Sequence, residues 1–357
     1  MTSLFEPITL RSLTVANRAW MAPMCQYSAL PDGPDTGAPH DWHLTHLGAR
    51  AVGGAGLVLT EATAVSPEGR ISPYDLGLWN ERQTEAFARI TAFLRAQGAV
   101  PGIQLSHAGR KASTERPWKG GGPVTTGGWR PLGPSPIPFA DGYPIPEELT
   151  EEQIAGIVAD FAAATRRARL AGFEVVEIHG AHGYLVSSFL SPHANHRTDG
   201  YGGSFEKRIR LALDITDAVR AEWPDELPVF FRVSATDWLA QGGWTPEDTV
   251  NLAAELKAHG VDLMDVSSGG NATGVHIPTA PGYQVPFAAR VKAETGLATG
   301  AVGLITEAGQ AEEIVATGEA DAVFLGRALL RDPNWVRTAA RVLGGDVRVP
   351  EQYLRAV

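Results

Sequence analysis

Short apolar, β-branched runs recur along this chain, and after each comes a helix, or a loop and then a helix. Eight such runs are legible: Ala19–Met24, Gly56–Ala62, Val100–Leu105, Phe173–Ile178, Val229–Ser234, Val261–Val266, Thr299–Gly303 and Ala320–Leu325. Between them lie helical segments. Asp41–Val52 and Phe205–Glu222 are two. Glu81–Gln97 carries Phe87, Ile90 and Leu94 at helical spacing and stops at Gly98. Thr150–Leu170 opens with Thr150 and Gln153 in capping-box spacing and ends at Gly172. Pro246 suits the first position of a helix running to Gly260, and Glu307–Thr317 is another. Strands that alternate with helices pair in parallel and carry the helices outside. Eight units predict an α/β chain folded as a closed (β/α)8 TIM barrel, which uses about 250 residues or more as one domain. An open doubly wound sheet is the alternative. It lacks support, because no Gly-x-Gly-x-x-Gly turn follows the first strand.

The alternation breaks once. Pro117–Pro146 is rich in Gly and Pro and contains no clear helix. Loops of that length inside a domain are usually functional or disordered. Trp118, Trp129, Phe139 and Tyr143 argue for a packed excursion over an active site, since disordered segments are poor in aromatics. The expected organisation is therefore a single domain over residues 1–357. A lid excursion spans about 112–149, and a C-terminal tail at 345–357 is a candidate for a subunit interface. Trp118, Trp129 and Trp244, all in Gly/Pro-rich loops, are candidates for ligand or subunit contacts.

Composition narrows the function. The formal net charge of −10 leaves no excess of cations to neutralise phosphates, which argues against nucleic acid. One cysteine, Cys25, rules out an internal disulfide. Met1 to Leu13 has no cationic region followed by an apolar run, and no stretch approaches the roughly 20 apolar residues of a membrane helix. A cytoplasmic enzyme is expected.

The chemistry collects at strand ends, where barrel active sites form. The fourth strand runs into Glu177-Ile178-His179-Gly180-Ala181-His182-Gly183-Tyr184. Two imidazoles and a phenol stand there among small residues that let a ligand come close. Two donors can hold one oxygen, and the tyrosine can give up a proton. His-x-x-His could instead point to zinc, but a third ligand at standard spacing is missing. The first strand ends near Met24, Cys25 and Tyr27, and the second at Glu61-Ala62. The third carries Gln104 with Lys111 beyond it, and the fifth carries Arg232. Gly303 after the seventh strand, with Gly326-Arg327 after the eighth, forms the phosphate corner usual in such barrels. A phosphate corner with Gln104 and Arg232 inside fits a flat phosphorylated cofactor. An internal polar network, or simple tight turns at the glycines, would explain the same residues without a ligand.

These motifs resemble the Old Yellow Enzyme family of flavin-dependent ene-reductases. The chain looks closest to its bacterial thermophilic-like subclass of NADPH dehydrogenases. The likeness covers nearly the full length. It runs from Leu4-Phe5-Glu6-Pro7 through Ala22-Pro23-Met24-Cys25-Gln26-Tyr27, Asp41-Trp42-His43 and Gln104–Lys111 to Tyr353-Leu354-Arg355. Its most specific pieces are His179–Tyr184 and Asn195–Ser204. The resemblance implies tightly but non-covalently bound FMN across the barrel mouth. Ala22, Pro23, Met24, Cys25 and Ala62 would contact its ring or chain, Gln104 its pyrimidine edge, and Arg232 the N1/O2 side. Gly303, Gly326 and Arg327 would take the phosphate. Cys25 would tune the flavin potential and would not act as a covalent nucleophile. His179 and His182 would bind the carbonyl or nitro oxygen of an activated alkene, with Tyr184 as proton donor. Tyr27 and Lys111 would be further substrate contacts. Arg355 would reach a neighbouring active site in a homodimer or homotetramer.

The implied cycle is ping-pong. NADPH gives hydride to the flavin and leaves, and the alkene then enters the same pocket. No metal is implied. Three positions depart from the family pattern. Ala22 replaces a frequent Ser, Lys207 stands where Asn is usual, and the last residue is Val357 rather than an aromatic. Two other functions fit the same barrel. One is a flavin reductase of another substrate, such as a dienoyl-CoA, xenobiotic or nitro reductase. The single cysteine counts against the dienoyl type with its iron–sulfur portion. The other is a flavin-binding sensor without turnover.

Overall fold

The computed structural model describes residues 3–356, so Val357 lies outside the described residues. Eight strands close into one parallel barrel in chain order. They are β1 (Ala19–Met21), β2 (Leu57–Ala64), β3 (Val100–Ser106), β4 (Val175–Gly180), β5 (Val229–Ser234), β6 (Leu263–Ser267), β7 (Ala298–Ala301) and β8 (Ala322–Leu325). Closure is made by β8 against β1, with Val323, Phe324 and Leu325 opposite Ala19, Trp20 and Met21. The expected (β/α)8 architecture is what the chain adopts. β1 is shorter than Ala19–Met24, because Pro23 has no N–H to give the ladder. Ala22 still donates to the Leu325 carbonyl at 3.1 Å. β7 likewise stops at Ala301, before Gly303.

The outer helices are α1 (Asp41–Val52), α2 (Glu81–Ala96) and α3 (Glu151–Leu170). After β4 come α4 (Leu185–Leu190) and α5 (Phe205–Glu222). Then follow α6 (Pro246–Ala258), α7 (Val285–Thr295), α8 (Ala308–Ala316), α9 (Arg327–Arg331) and α10 (Trp335–Leu343). The Thr150–Gln153 capping box forms at the start of α3. Six-residue α4 was not legible in the sequence. All six of its residues are buried, so it has no polar face to set a helical period. Among the described residues, no helix is long and apolar enough to cross a membrane.

Two apolar layers hold the barrel. The larger lies between strands and helices. The smaller fills the barrel itself and centres on Trp20, Phe230 and Phe324, each at most 1% exposed. Trp20 stacks on Phe230 at 5.9 Å and meets Phe324 edge-on at 5.4 Å. An antiparallel hairpin, Ile8–Leu10 with Leu13–Val15, packs against this plug.

The excursion after β3 is built rather than loose. Leu132-Gly133 pairs with Glu147-Glu148. Trp129 donates to the Glu68 carbonyl at 2.8 Å, and Phe139 packs edge-on to Tyr143 at 5.3 Å. Arg197, from the loop after α4, donates to the Pro134 and Leu149 carbonyls at 3.1 and 2.6 Å, tying the excursion to that loop. Trp118 is 60% exposed, yet its ring meets Tyr27 at 6.0 Å. Trp244 corrects the expectation of a ligand or subunit contact. It is buried, stacks on Phe205 and donates to Thr249 at 2.7 Å.

Candidate active site

β4 aims alternate residues into the barrel, so Glu177 and His179 share its inner face. The chain then turns where no side chain fits. A Cβ on Gly180 would lie 2.3 Å from the Phe231 ring, and one on Gly183 2.3 Å from the Gly270 carbonyl. His182 takes the left-handed backbone at φ 61°, which a non-glycine residue rarely adopts without compensation. Its own N–H donates to Ser234 Oγ at 2.9 Å, and its Nε2 lies 2.8 Å from Ser267 Oγ. The result is a compact trio. The His179 ring is 5.3 Å from that of His182 and 5.1 Å from that of Tyr184. Burial, then Arg232 and Lys111, push both imidazoles well below their usual pKa, so they are neutral at pH 7. Burial first, then Cys25 and Tyr27, pushes the Tyr184 phenol up, so it keeps its proton.

Lys111 sits beside this trio. Its Nζ donates to the carbonyls of His182 and Gly270 at 2.8 and 2.9 Å. The same ammonium lies over the rings of Phe139 and Tyr184. Burial, then Arg110, lowers it to about 7. Cys25, Tyr27 and Tyr184 border a small apolar cluster with Ala62, Ile71, Ala108 and Ala112. Tyr27 also has a left-handed backbone, at φ 50°, and the neighbouring Gln26 N–H donates to Glu61 Oε2 at 2.7 Å.

Below the trio lies a polar layer. Gln104 is opposite Glu177, and Arg232 is opposite both His179 and Asp265. Gln104 Nε2 donates to Glu177 Oε1 at 2.8 Å, and Arg232 Nε is 3.1 Å from Asp265 Oδ2. Glu177 Oε2, Arg232 Nε and both Asp265 oxygens are buried without an aligned hydrogen bond. Buried polar atoms normally find partners, so this floor has unspent hydrogen-bonding capacity. Beside His182 and Ser267, at the same mouth, a cavity of about 270 Å3 is also lined by Gln284, Gly303, Gly326, Arg327 and Arg331. Gly303 and Leu304 both have positive φ, at 124° and 51°. Arg327 and Arg331 add two cations to that lining, which suits an anion. Met24 lies beside this corner, since a Cβ on Gly326 would be 3.6 Å from its sulfur. An orphaned polar floor beside an anion-shaped corner fits a flat ring carrying a phosphate arm.

The expected residues Pro23, Met24, Cys25, Tyr27, Ala62, Gln104, Lys111, His179, His182, Tyr184, Arg232, Gly303, Gly326 and Arg327 therefore gather around one mouth. Arg355 does not join them. It is exposed on a 3-10 turn, Glu351–Ala356, whose Tyr353 ring faces Arg337 of α10. Among the described residues, no group of three His, Cys, Asp or Glu side chains is arranged to hold a metal. Sequence reasoning named Glu61 only as a strand end and Glu177 only as the start of the His179–Tyr184 stretch, and it gave no role to Ser267, Asp265 or Arg331. Glu177 was within reach, because it lies two residues before His179 on the same strand face.

Comparison with known proteins agrees with this geometry. A profile of the NADH:flavin oxidoreductase / NADH oxidase family matches residues 3–344. An NADPH dehydrogenase of Listeria innocua is 47% identical over 356 residues, covering 100% of this chain and 99% of that protein. The structure of morphinone reductase superposes with a TM-score of 0.79 at 29% identity, covering 98% of this chain and 92% of that one. An old yellow enzyme homologue from Zymomonas mobilis superposes with a TM-score of 0.79 at 28% identity, covering 97% and 94%. The chain belongs to the NADH:flavin oxidoreductase / NADH oxidase family, and within it to the Old Yellow Enzymes, FMN-dependent oxidoreductases.

Proposed function

We propose that this enzyme uses FMN and NADPH to reduce the C=C bond of activated alkenes in a ping-pong cycle. Its substrates are α,β-unsaturated ketones and aldehydes, maleimides and nitroalkenes. The NADPH preference follows from the likeness to NADPH dehydrogenase. One observation carries the choice of substrate: two neutral imidazoles and a protonated phenol face one another at the mouth, above a floor with orphaned polar atoms. Gln104 and Arg232 would hold the ring of FMN, and Gly303, Gly326 and Arg327 its phosphate. Bound there, FMN supplies hydride chemistry between NADPH and the alkene β-carbon.

The protein's own groups do the rest. His179 Nδ1 accepts the Ala181 N–H at 3.4 Å, so the ring's proton sits on Nε2, free to donate. The role requires Ser267 Oγ–H to donate to His182 Nε2, 2.8 Å away, so that His182 keeps Nδ1–H. The two N–H groups form an oxyanion hole for the substrate oxygen as it gains charge. One such donor is worth roughly 2.7–4 kcal/mol. Tyr184 Oη gives its proton to the α-carbon. Lys111 pins the His182 carbonyl and so keeps the imidazole in place. Arg355 would complete a neighbour's site in a homodimer or homotetramer acting in the cytoplasm.

The test is an anaerobic absorbance spectrum of the purified protein, taken alone, after NADPH, and after 2-cyclohexenone. A flavin spectrum that bleaches with NADPH and returns with the enone is expected. A bleach that does not return would assign the site to another acceptor. Absence of flavin, with none taken up from added FMN, would overturn the reading.

A further inference from the structure

A polar layer sealed inside a barrel has to settle its charges internally, because little water reaches it. Gln104, Glu177, Arg232 and Asp265 are each 6% exposed or less, and the plug around Trp20 and Phe230 lies on the same inner surface of the barrel. The layer holds two carboxyl groups and one guanidinium. Ionising both would leave a net negative charge out of water, and neighbouring buried carboxyls resist that. Asp265 is the carboxyl that touches Arg232, at 3.1 Å. Glu177 faces an amide instead. Its Oε1 accepts from Gln104 Nε2 at 2.8 Å, and its Oε2 is buried with no partner. A bare carboxylate oxygen in that position is more costly than an unpartnered hydroxyl. Burial, then Asp265, pushes the Glu177 carboxyl up to about 8, while Asp265 stays at about 6.

We propose that Glu177 is a positioning residue: its Oε1 holds the Gln104 amide nitrogen and so leaves the amide oxygen as an acceptor for a ring N–H at the mouth. Amide orientation matters because the two ends of a glutamine are a donor and an acceptor of nearly the same shape. A cyclic imide, an N–H between two carbonyls, needs the oxygen opposite its N–H. A flipped Gln104 would set N–H against N–H. Glu177 opposes the flip, because turning the amide would cost its Oε1 the N–H it accepts at 2.8 Å. This rests on the FMN reading above, since the isoalloxazine carries such an imide edge.

The experiment is FMN titration of the apoprotein, followed by quenching of flavin fluorescence, so turnover is not the readout. Glu177→Leu should weaken FMN binding at least about tenfold, the scale of one hydrogen bond plus an amide free to turn. Glu177→Gln keeps a neutral carbonyl acceptor and should restore binding to within about threefold of the wild type. Gln104→Leu and the double variant Gln104→Leu/Glu177→Leu should bind equally, because Glu177 acts only through Gln104. Losses that multiply in the double variant would overturn the proposal, as would a Glu177→Leu that binds like the wild type. So would a Glu177→Gln as weak as Glu177→Leu, which would mean the layer requires the charge. Should Glu177→Leu fail to fold, Glu177→Met, apolar and closer to Glu in length, takes its place with the same loss expected. A wild-type apoprotein that takes up no FMN would fail the FMN reading itself, and that outcome is distinct from all the others.

Discussion

The inside of this barrel is two materials stacked together. The plug of Trp20, Leu57, Leu59, Phe230 and Phe324 is apolar and almost without exposure. Its groups have no chemistry beyond packing, and Trp20 Nε1 donates to the Asn17 carbonyl at 2.7 Å. The layer around Gln104, Glu177, Arg232 and Asp265 is as deeply buried, yet it carries orphaned polar atoms. Three non-glycine residues at the mouth, Tyr27, His182 and Leu304, also hold left-handed backbones. The same strands supply both materials, so the difference is one of position along each strand. Toward one end the side chains fill space. Toward the other they tolerate strain and unpaired atoms, which persist only where surrounding structure over-determines them.

The largest effect should come from the mouth and should touch rate alone. Tyr184→Phe removes the phenolic proton while keeping the ring that packs on His179. Reoxidation by 2-cyclohexenone, followed by stopped flow, should slow about 10²–10⁴-fold, the usual scale of general acid catalysis. Bleaching by NADPH should stay within about twofold, since hydride delivery from the nicotinamide needs no protein acid. Equal loss in both halves would move proton donation away from Tyr184. The unfolding midpoint should barely change, because the phenol makes no hydrogen bond that holds the fold among the described residues.

The same contrast explains what the sequence made legible. Strand and helix periods exposed the barrel, because the strands are almost wholly buried on both faces and the long outer helices each show one apolar stripe. The His179–Tyr184 trio was readable because three chemical groups sit within six residues. Gly303, Gly326 and Arg327, expected together as a phosphate corner, do line one cavity. Of the polar layer only Gln104 and Arg232 were readable, since these two, Glu177 and Asp265 come from four strands and meet only through parallel register. Glu61 was hidden for another reason. Its partner is the backbone N–H of Gln26, which has no signature in the residue types. Trp244 was misassigned because a tryptophan in a Gly-rich loop reads the same whether it packs inward or outward.

A cut into the plug should do the reverse of Tyr184→Phe. Phe230 is fully buried and stacked on Trp20. Phe230→Ala opens a cavity in a layer already closed by Trp20 and Phe324. It should lower unfolding stability by about 3–5 kcal/mol, measured by urea denaturation. A loss under about 1 kcal/mol would mean that the plug relaxes around the gap, and that the barrel floor is less close-packed than the contacts indicate.

The smallest effect tests whether the mouth stores protons as well as strain. Glu61 is buried against the Cys25–Tyr27 turn, 3.6 Å from His43 Nε2. Burial pushes its carboxyl up to about 8, and burial also holds His43 at about 3, so the pair is neutral and the proton is on Glu61. A carboxyl raised on folding contributes stability that is whole below its unfolded pKa. That stability is lost as pH rises through the folded value. Asp75, which faces the same group, is raised only to about 6, so its share is already lost above that pH. The window from pH 6 to 8 therefore isolates Glu61 in a comparison with Glu61→Gln, which cannot titrate. Glu177, Lys111 and Asp265 titrate nearby, but they do so in both proteins and cancel in the difference. Relative to the variant, wild type should lose stability across that window, by at most about 1.4 kcal/mol per pH unit for one proton. Parallel curves would mean that Glu61 is ionised at neutral pH, with its charge balanced by the Gln26 N–H alone. Cys25 would then face a carboxylate, and the thiol would be held protonated still more firmly than burial alone requires.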